Sequence, residues 1–595
     1  MKFETWPTLT AMFFDQADRL GEKPFLWAKR DGRYESLSWR EAAAKARALA
    51  HGLRALGLEP KDRVALVSEN RPEWLIADVA IMAAGCITVP AYTTNTADDH
   101  LHVLADSGAR AAIVSTAKLA ERLLPAAARA PELKIVIAIE TPEIRQPAGV
   151  RLHSWDEVLA RPPAGAHGGA GGIVEANRGD TACLIYTSGT GGAPKGVVLS
   201  HGAILCNCAG AHELLEKFGL RDEVFLCFLP LSHAYEHTAG QFLPISIGAQ
   251  IYYAEGADML ARNLLEVRPT LMTAVPRLYE MMQKRILHGA KRAGGFKEKL
   301  FLRTLDLGRR RYEDPRGLSL GERVIDKGLD VLVRRKVRRR FGGRLKAMVS
   351  GGAALSYEVG LFFTALGVRA LQGYGQTETA PIVSCNPPDK VKLHTVGPPF
   401  TGVEVRIAED GEILVRGELV MQGYWNDPNA TEMALRDGWL HTGDVGAIDE
   451  EGYLQITDRK KDIIVNSAGD NISPQRIEGA LTLEAEIAQA MVYGDGKPHL
   501  VALIVPDEEA LKHWARKQGK RADLAALAED SDLRREIGSA LERVNARLSP
   551  IEQVRRFTIA PEPFSIANGE LTPTLKIRRH VIGEKYGAAL EALYR

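Results

Sequence analysis

The segment Tyr186-Thr-Ser-Gly-Thr-Gly-Gly-Ala-Pro-Lys195-Gly196 packs glycines, hydroxyls and one lysine into a short stretch, a combination suited to gripping a polyphosphate. Gly189, Gly191 and Gly192 let the backbone turn its amides outward, Ser188 and Thr190 add hydroxyl donors, and Lys195 adds a mobile positive charge. The candidate phosphate contacts are therefore Thr187, Ser188, Gly189, Thr190, Gly192 and Lys195. The apolar run Thr181-Ala-Cys-Leu-Ile-Tyr186 before them predicts a buried strand that delivers the loop to a cleft. The P-loop of kinases and GTPases needs glycine before its lysine and Ser or Thr after it, whereas Pro194 and Gly196 stand here. Val197-Val-Leu-Ser200 also reads as a strand rather than the helix that completes a P-loop. For the segment alone, an exposed glycine turn without a ligand is the lesser alternative.

Five further segments could carry chemistry. His233 lies in Phe228-Leu-Pro-Leu-Ser-His-Ala-Tyr-Glu236, where a histidine beside apolar residues is often structural. Gly351 and Gly352 in Ser350-Gly-Gly-Ala-Ala354, with Tyr374 in Gly373-Tyr-Gly-Gln-Thr-Glu378, offer close backbone approach and an aromatic face, the two things a flat purine needs. Glu378 is a carboxylate suited to Mg²⁺, which is commonly held by one or two carboxylates plus substrate phosphates; its alternative is a capping role. Asp444 in His441-Thr-Gly-Asp444 reads by itself as a turn former. Lys576 in Gly569-Glu-Leu-Thr-Pro-Thr-Leu-Lys-Ile-Arg-Arg579 reads by itself as part of a solvated basic face.

In this order the segments resemble those of the acyl-adenylate-forming enzymes, the group that holds acyl-CoA synthetases, luciferases and peptide-synthetase adenylation domains. The pattern is most similar to long-chain fatty acid CoA ligases, which carry a segment like Val275-Pro-Arg-Leu-Tyr-Glu280 before a long helical insertion. The resemblance implies that His233 lines the acyl pocket, that the loops at Gly351–Gly352 and Tyr374–Thr377 bracket adenine and the α-phosphate, and that Asp444 with Arg459 holds ribose. It further implies that Lys576 reaches the α-phosphate and acyl carboxylate during adenylation, neutralising charge that builds there. Two positions depart from the family pattern: Gly191 stands where Thr is usual, and Val465 where many members have lysine, in a loop one residue longer that holds Gly469 and runs to Pro474.

What the resemblance implies is ATP-dependent activation of a medium to long-chain fatty acid through acyl-AMP to acyl-CoA, with ATP, Mg²⁺ and CoA required and AMP and pyrophosphate released. Two rivals share part of this pattern: an acyl-AMP ligase that loads an acyl carrier protein, and a non-catalytic membrane-associated scaffold. The catalytic candidates are Lys576, Glu378 and His233.

These residues must be positioned by more than one core, because 595 residues exceed an ordinary domain. Short apolar runs (Arg63–Val67, Ala111–Val114, Lys134–Ala138) alternate with Ala-rich stretches such as Glu41–Leu56, the pattern of an α/β protein. The expectation is a large multi-subdomain N-terminal AMP-binding domain over residues 1–457, with mixed sheets flanked by helices. A hinge over 458–462, Asp458-Arg-Lys-Lys-Asp462, joins it to a small mobile α+β domain over 463–595. Residues 162–172, rich in Pro, Gly and Ala, read as a connector.

A formal charge of +1 gives no global pull toward nucleic acid, and six cysteines without repeated spacing argue against a disulfide framework. The start of the chain lacks a secretory pattern, and the best membrane candidate, Trp74–Val89, carries Asp78 and falls short of the ~20 apolar residues a span needs. A cytoplasmic protein is expected, with peripheral contact at the anionic inner membrane face through the basic interval Lys284–Arg340; oligomeric state stays open.

Overall fold

The computed structural model describes residues 3–143, 149–161, 173–187, 193–256, 258–572 and 576–595. Ser188, Gly189, Thr190 and Gly192 of the glycine loop, and the connector 162–172, lie outside the described residues.

Alternating apolar runs and helices fold as the pattern predicts, into two eight-stranded sheets, a five-stranded sheet and a smaller C-terminal unit. In the first large sheet Arg63–Val67, Ile87–Ala91, Ala111–Val114 and Ile135–Ala138 run parallel, nearly all fully buried; the helix Pro72–Ala83 packs on them, and Trp39–Ala55 packs against that helix. A hairpin of Thr181–Thr187 and Lys195–Ser200 extends this sheet, so the segment after Lys195 is a strand. Thr187 and Lys195 face each other across the hairpin and fix both ends of the glycine loop.

In the second large sheet Val224–Cys227, Leu271–Ala274, Ala347–Ser350 and Ala370–Gly375 are parallel, with Ile382–Cys385 added antiparallel. Parallel strands place their carboxyl ends on one edge, where α/β proteins bind ligands. The residues that follow those ends here are the segments singled out above: His233 after Cys227, Gly351 after Ser350, Thr377 and Glu378 after Gly375. The five-stranded sheet carries Asp444 on the strand Trp439–Ile448, paired with Arg459 on Leu454–Arg459.

Asp458 and Arg459 thus end a strand, and the chain turns at Lys460 and Lys461; Asp458 is buried. Beyond the turn a three-stranded sheet (Ile487–Tyr493, Leu500–Pro506, Val554–Ile559) with helices such as Pro474–Thr482 and Ser531–Asn545 encloses its own apolar core. It leans on the larger part where Leu483 packs among apolar residues of the second sheet and Lys284 Nζ donates to the Ile487 carbonyl at 3.4 Å. The basic interval from Lys284 is helical: Pro276–Ala293, Gly295–Glu313 and Leu320–Leu329, then a π-turn and Arg335–Arg340.

Candidate active site

Asp444 organises the floor of the cleft. Its Oδ1 accepts from Arg459 Nε at 2.8 Å, and its Oδ2 accepts from Tyr374 OH at 2.7 Å and Gln376 Nε2 at 2.6 Å. Gln376 Nε2 also donates to the Thr442 carbonyl, so the loop after Gly375 is stitched to the five-stranded sheet. A carboxylate offers about four acceptor positions and three are used, which leaves capacity for a hydroxyl. Burial and the adjacent Asp444 push the Tyr374 phenol well above its ordinary pKa, keeping it a donor. Gln376 is a member that the sequence reading did not single out.

The two glycine positions have steric reasons. A Cβ on Gly351 would sit 3.0 Å from the Tyr235 ring, and Gly352 has φ of +81°, where side chains are strained. Tyr235 OH donates to the Val349 carbonyl at 2.9 Å and pins that ring under the loop. Gly375 is tighter still, since a Cβ there would overlap the Pro381 carbonyl.

Lys195 Nζ lies 3.1 Å from Asp427 Oδ2 and 5.1 Å from the centre of the Tyr424 ring. Tyr424 OH in turn donates to Glu378 Oε1 at 2.8 Å, linking the lysine at the end of the glycine loop to the half-buried carboxylate. Thr377 starts the single 3-10 turn Thr377–Thr379 that presents Glu378. Among the described residues no cluster of three or more ligating side chains exists. A single carboxylate such as Glu378 is the kind of donor Mg²⁺ takes alongside substrate phosphates and waters. Tyr424 and Asp427 had no signal in spacing; they reach the site only because Gly423–Tyr424 pairs with Val197–Val198 across the sheet edge.

Lys576 enters the same cleft from the C-terminal unit, its backbone held by reciprocal bonds with Thr572. Crowding by the cleft walls and the positive charge of Arg459 push its pKa down to about 8, opposed by Asp444, Glu378 and Asp462. The side chain still meets cleft solvent, which relieves part of that desolvation. His233 is close enough for Lys576 to act on its charge; burial first and Lys576 second lower its pKa to about 4, so its imidazole is neutral at pH 7. His233 Nδ1 accepts from the Tyr235 amide at 3.1 Å, which leaves the other ring nitrogen to carry the N–H. Beneath it Glu236 is fully buried, accepts from the Phe228 amide at 3.2 Å and from Thr273 Oγ1, and is pushed up to about 7 by burial.

Residues 13–425 match the AMP-binding enzyme family, and residues 461–595 match the C-terminal domain of AMP-binding enzymes. This chain is an AMP-binding enzyme. The chain is 36% identical over 572 residues to the long-chain-fatty-acid–CoA ligase FadD15 of Mycobacterium bovis, covering 95% of this chain and 93% of that relative. It is 32% identical over 591 residues to the peroxisomal long chain acyl-CoA synthetase 6 of Arabidopsis thaliana, covering 95% and 82%. Among solved structures, the A domain of a carboxylic acid reductase from Segniliparus rugosus, in complex with AMP and a co-purified carboxylic acid, superposes with a TM-score of 0.78 at 22% identity, covering 99% of this chain and 94% of that one.

The AMP-binding enzyme thus brings together, in one cleft, Thr187, Lys195, Glu378, His233, Asp444, Arg459, Tyr374 and Lys576, from segments nearly 400 residues apart in sequence. A hydrogen-bonded carboxylate, an aromatic donor and cations on two sides suit a nucleotide whose phosphates gain charge as bonds break. Among the described residues no helix is long and apolar enough to cross a membrane.

Proposed function

We propose that the chain is an AMP-forming ligase that joins a medium to long-chain fatty acid to CoA. A carboxylate oxygen of the acid attacks the α-phosphorus of Mg-ATP and pyrophosphate leaves; the CoA thiol then attacks the acyl-AMP carbonyl and AMP leaves. In this reading Asp444 and Arg459 receive ribose, Tyr374 and the loop at Gly351–Gly352 enclose adenine, and Thr377 meets the α-phosphate. Thr187 and Lys195, with Ser188, Gly189, Thr190 and Gly192, hold the outer phosphates, and Glu378 takes the magnesium ion that accompanies them. Lys576 neutralises charge between α-phosphate and carboxylate, and neutral His233 offers an N–H to the acyl carboxylate without adding charge to an already cationic corner.

Convergence of Lys576 on Asp444, Glu378 and His233 is the observation that carries the adenylation step. The fatty acid as substrate and CoA as acceptor rest on the relatives named as long-chain fatty acid ligases, matched over nearly their whole length. For thioester formation the segment 458–462 would act as a hinge between residues 1–457 and 463–595, carrying Lys576 out and bringing the loop near Gly469 in. A cytoplasmic protein touching the inner membrane face would have ready access to such an acid. Palmitate-dependent exchange of pyrophosphate into ATP tests the first half; if exchange occurs and CoA yields no thioester, a carrier protein takes its place as acceptor.

A further inference from the structure

The helical interval after Pro276 sorts its charges by side. Facing the protein, Arg334 is fully buried and donates to the carbonyls of Ala365 at 2.6 Å, Asp326 at 3.1 Å and Thr304 at 3.2 Å, and to Asp326 Oδ1 at 2.6 Å. Leu307, Leu318 and Leu329 close a small core beneath it. Arg309, Arg310, Arg311 and Arg338 are all paired with acids. The interval is therefore a fixed part of the fold.

Its outward face is different. Along the continuous helix from Leu320 to Arg340, Leu320 is 80% exposed, Val324 72%, Val331 58% and Leu332 53%. Beside them Lys327, Arg335, Lys336 and Arg339 are exposed, and none has an ion-pair partner among the described residues. Exposed aliphatic side chains in such a row are a liability in water unless something covers them.

We propose that this face docks on a bilayer containing anionic lipids. Leu320, Val324, Val331 and Leu332 would enter the headgroup–acyl boundary while Lys327, Arg335, Lys336 and Arg339 meet lipid phosphates. Charge decides between occupants. A second copy meeting this face across a two-fold axis would set the same unpaired cations against themselves, and the row has no aromatic anchor of the kind that dominates protein interfaces. The proposal deepens the membrane contact put forward above. It assigns that contact to apolar insertion framed by cations, where the charge run alone suggested headgroup attraction.

Sedimentation of the full chain with vesicles of phosphatidylglycerol and phosphatidylcholine tests it. Wild type binds at low salt and keeps part of its binding at high salt, where charge is screened and apolar insertion persists. Leu320→Glu with Val324→Glu lowers partitioning about tenfold or more at both salts, while Arg335→Gln with Lys336→Gln lowers it at low salt only. Octanoate-dependent AMP formation in solution is measured on every variant, so a failed ligase reading and a failed docking reading are told apart. Equal binding by wild type and the double glutamate variant, or no binding by wild type at low salt, overturns the proposal. A concentration-dependent dimer that the glutamates abolish, without vesicle binding, overturns it in favour of a second copy.

Discussion

Replacing Lys576 with Ala should separate the two half-reactions. The side chain lies in the cleft with Arg459, Asp444 and Glu378 as charged neighbours, and His233 beside it. Removing one preorganised donor from a site of developing charge costs about 3–4 kcal/mol, roughly 10²–10³ in rate. Because Lys576 still meets cleft solvent, water replaces part of what is lost, and about 10² is the expected fall in acid-dependent pyrophosphate exchange. Conversion of isolated acyl-AMP with CoA should be unchanged, since the lysine is assigned to the first step alone. The pH profile adds a second readout. Only the ammonium form neutralises charge, so with a pKa near 8 in the free protein kcat/KM for ATP should decline as pH rises through that value. Lys576→Arg keeps its charge throughout this range and should lose the decline. Exchange by Lys576→Ala close to the wild-type rate, or equal loss of both half-reactions, would refute the assignment.

Asp444→Ala leaves Arg459, Tyr374 and Gln376 without their shared acceptor, and we expect KM for ATP to rise at least tenfold, equivalent to about 1.4 kcal/mol; titration of ATP in the exchange assay measures it. Gly375→Ala drives a Cβ into the Pro381 carbonyl, so the turn bearing Glu378 should shift and exchange should be lost, with a fall in Tm in thermal melts. Glu236 has a folded pKa raised above its unfolded value, so the folded state binds more protons between about pH 4.5 and 7 and stability should fall as pH rises across that window. Urea unfolding at pH 5 and pH 8 should show this decline in wild type and little of it in Glu236→Gln.

Short apolar runs and their order carried most of the architecture into the sequence. Arg63–Val67 and Ala111–Val114 are strands because β-branched and small apolar residues between turn signals suit a sheet covered on both faces. Gly351, Gly352 and Tyr374 stood out by residue type, through close backbone approach and an aromatic face, whereas Asp444 stood out only through the family resemblance. The site was not legible where a residue arrives through tertiary pairing. Tyr424 and Asp427 come in across a sheet edge, Gln376 acts by reaching Asp444, and Glu236 looked like one more residue of an apolar segment. Exposure in the basic interval was also hidden, since Leu320 and Val324 resemble core positions in sequence and only the packing of Leu318 and Leu329 beneath them shows which side is free.

The most direct test of the account is acid-dependent AMP release from ATP by the purified protein, across saturated acids from acetate to stearate, with CoA present or omitted. Turnover that requires CoA and peaks with the long-chain acids is the predicted result. No AMP release with any acid, with or without CoA, would contradict the claim that this cleft adenylates a fatty acid.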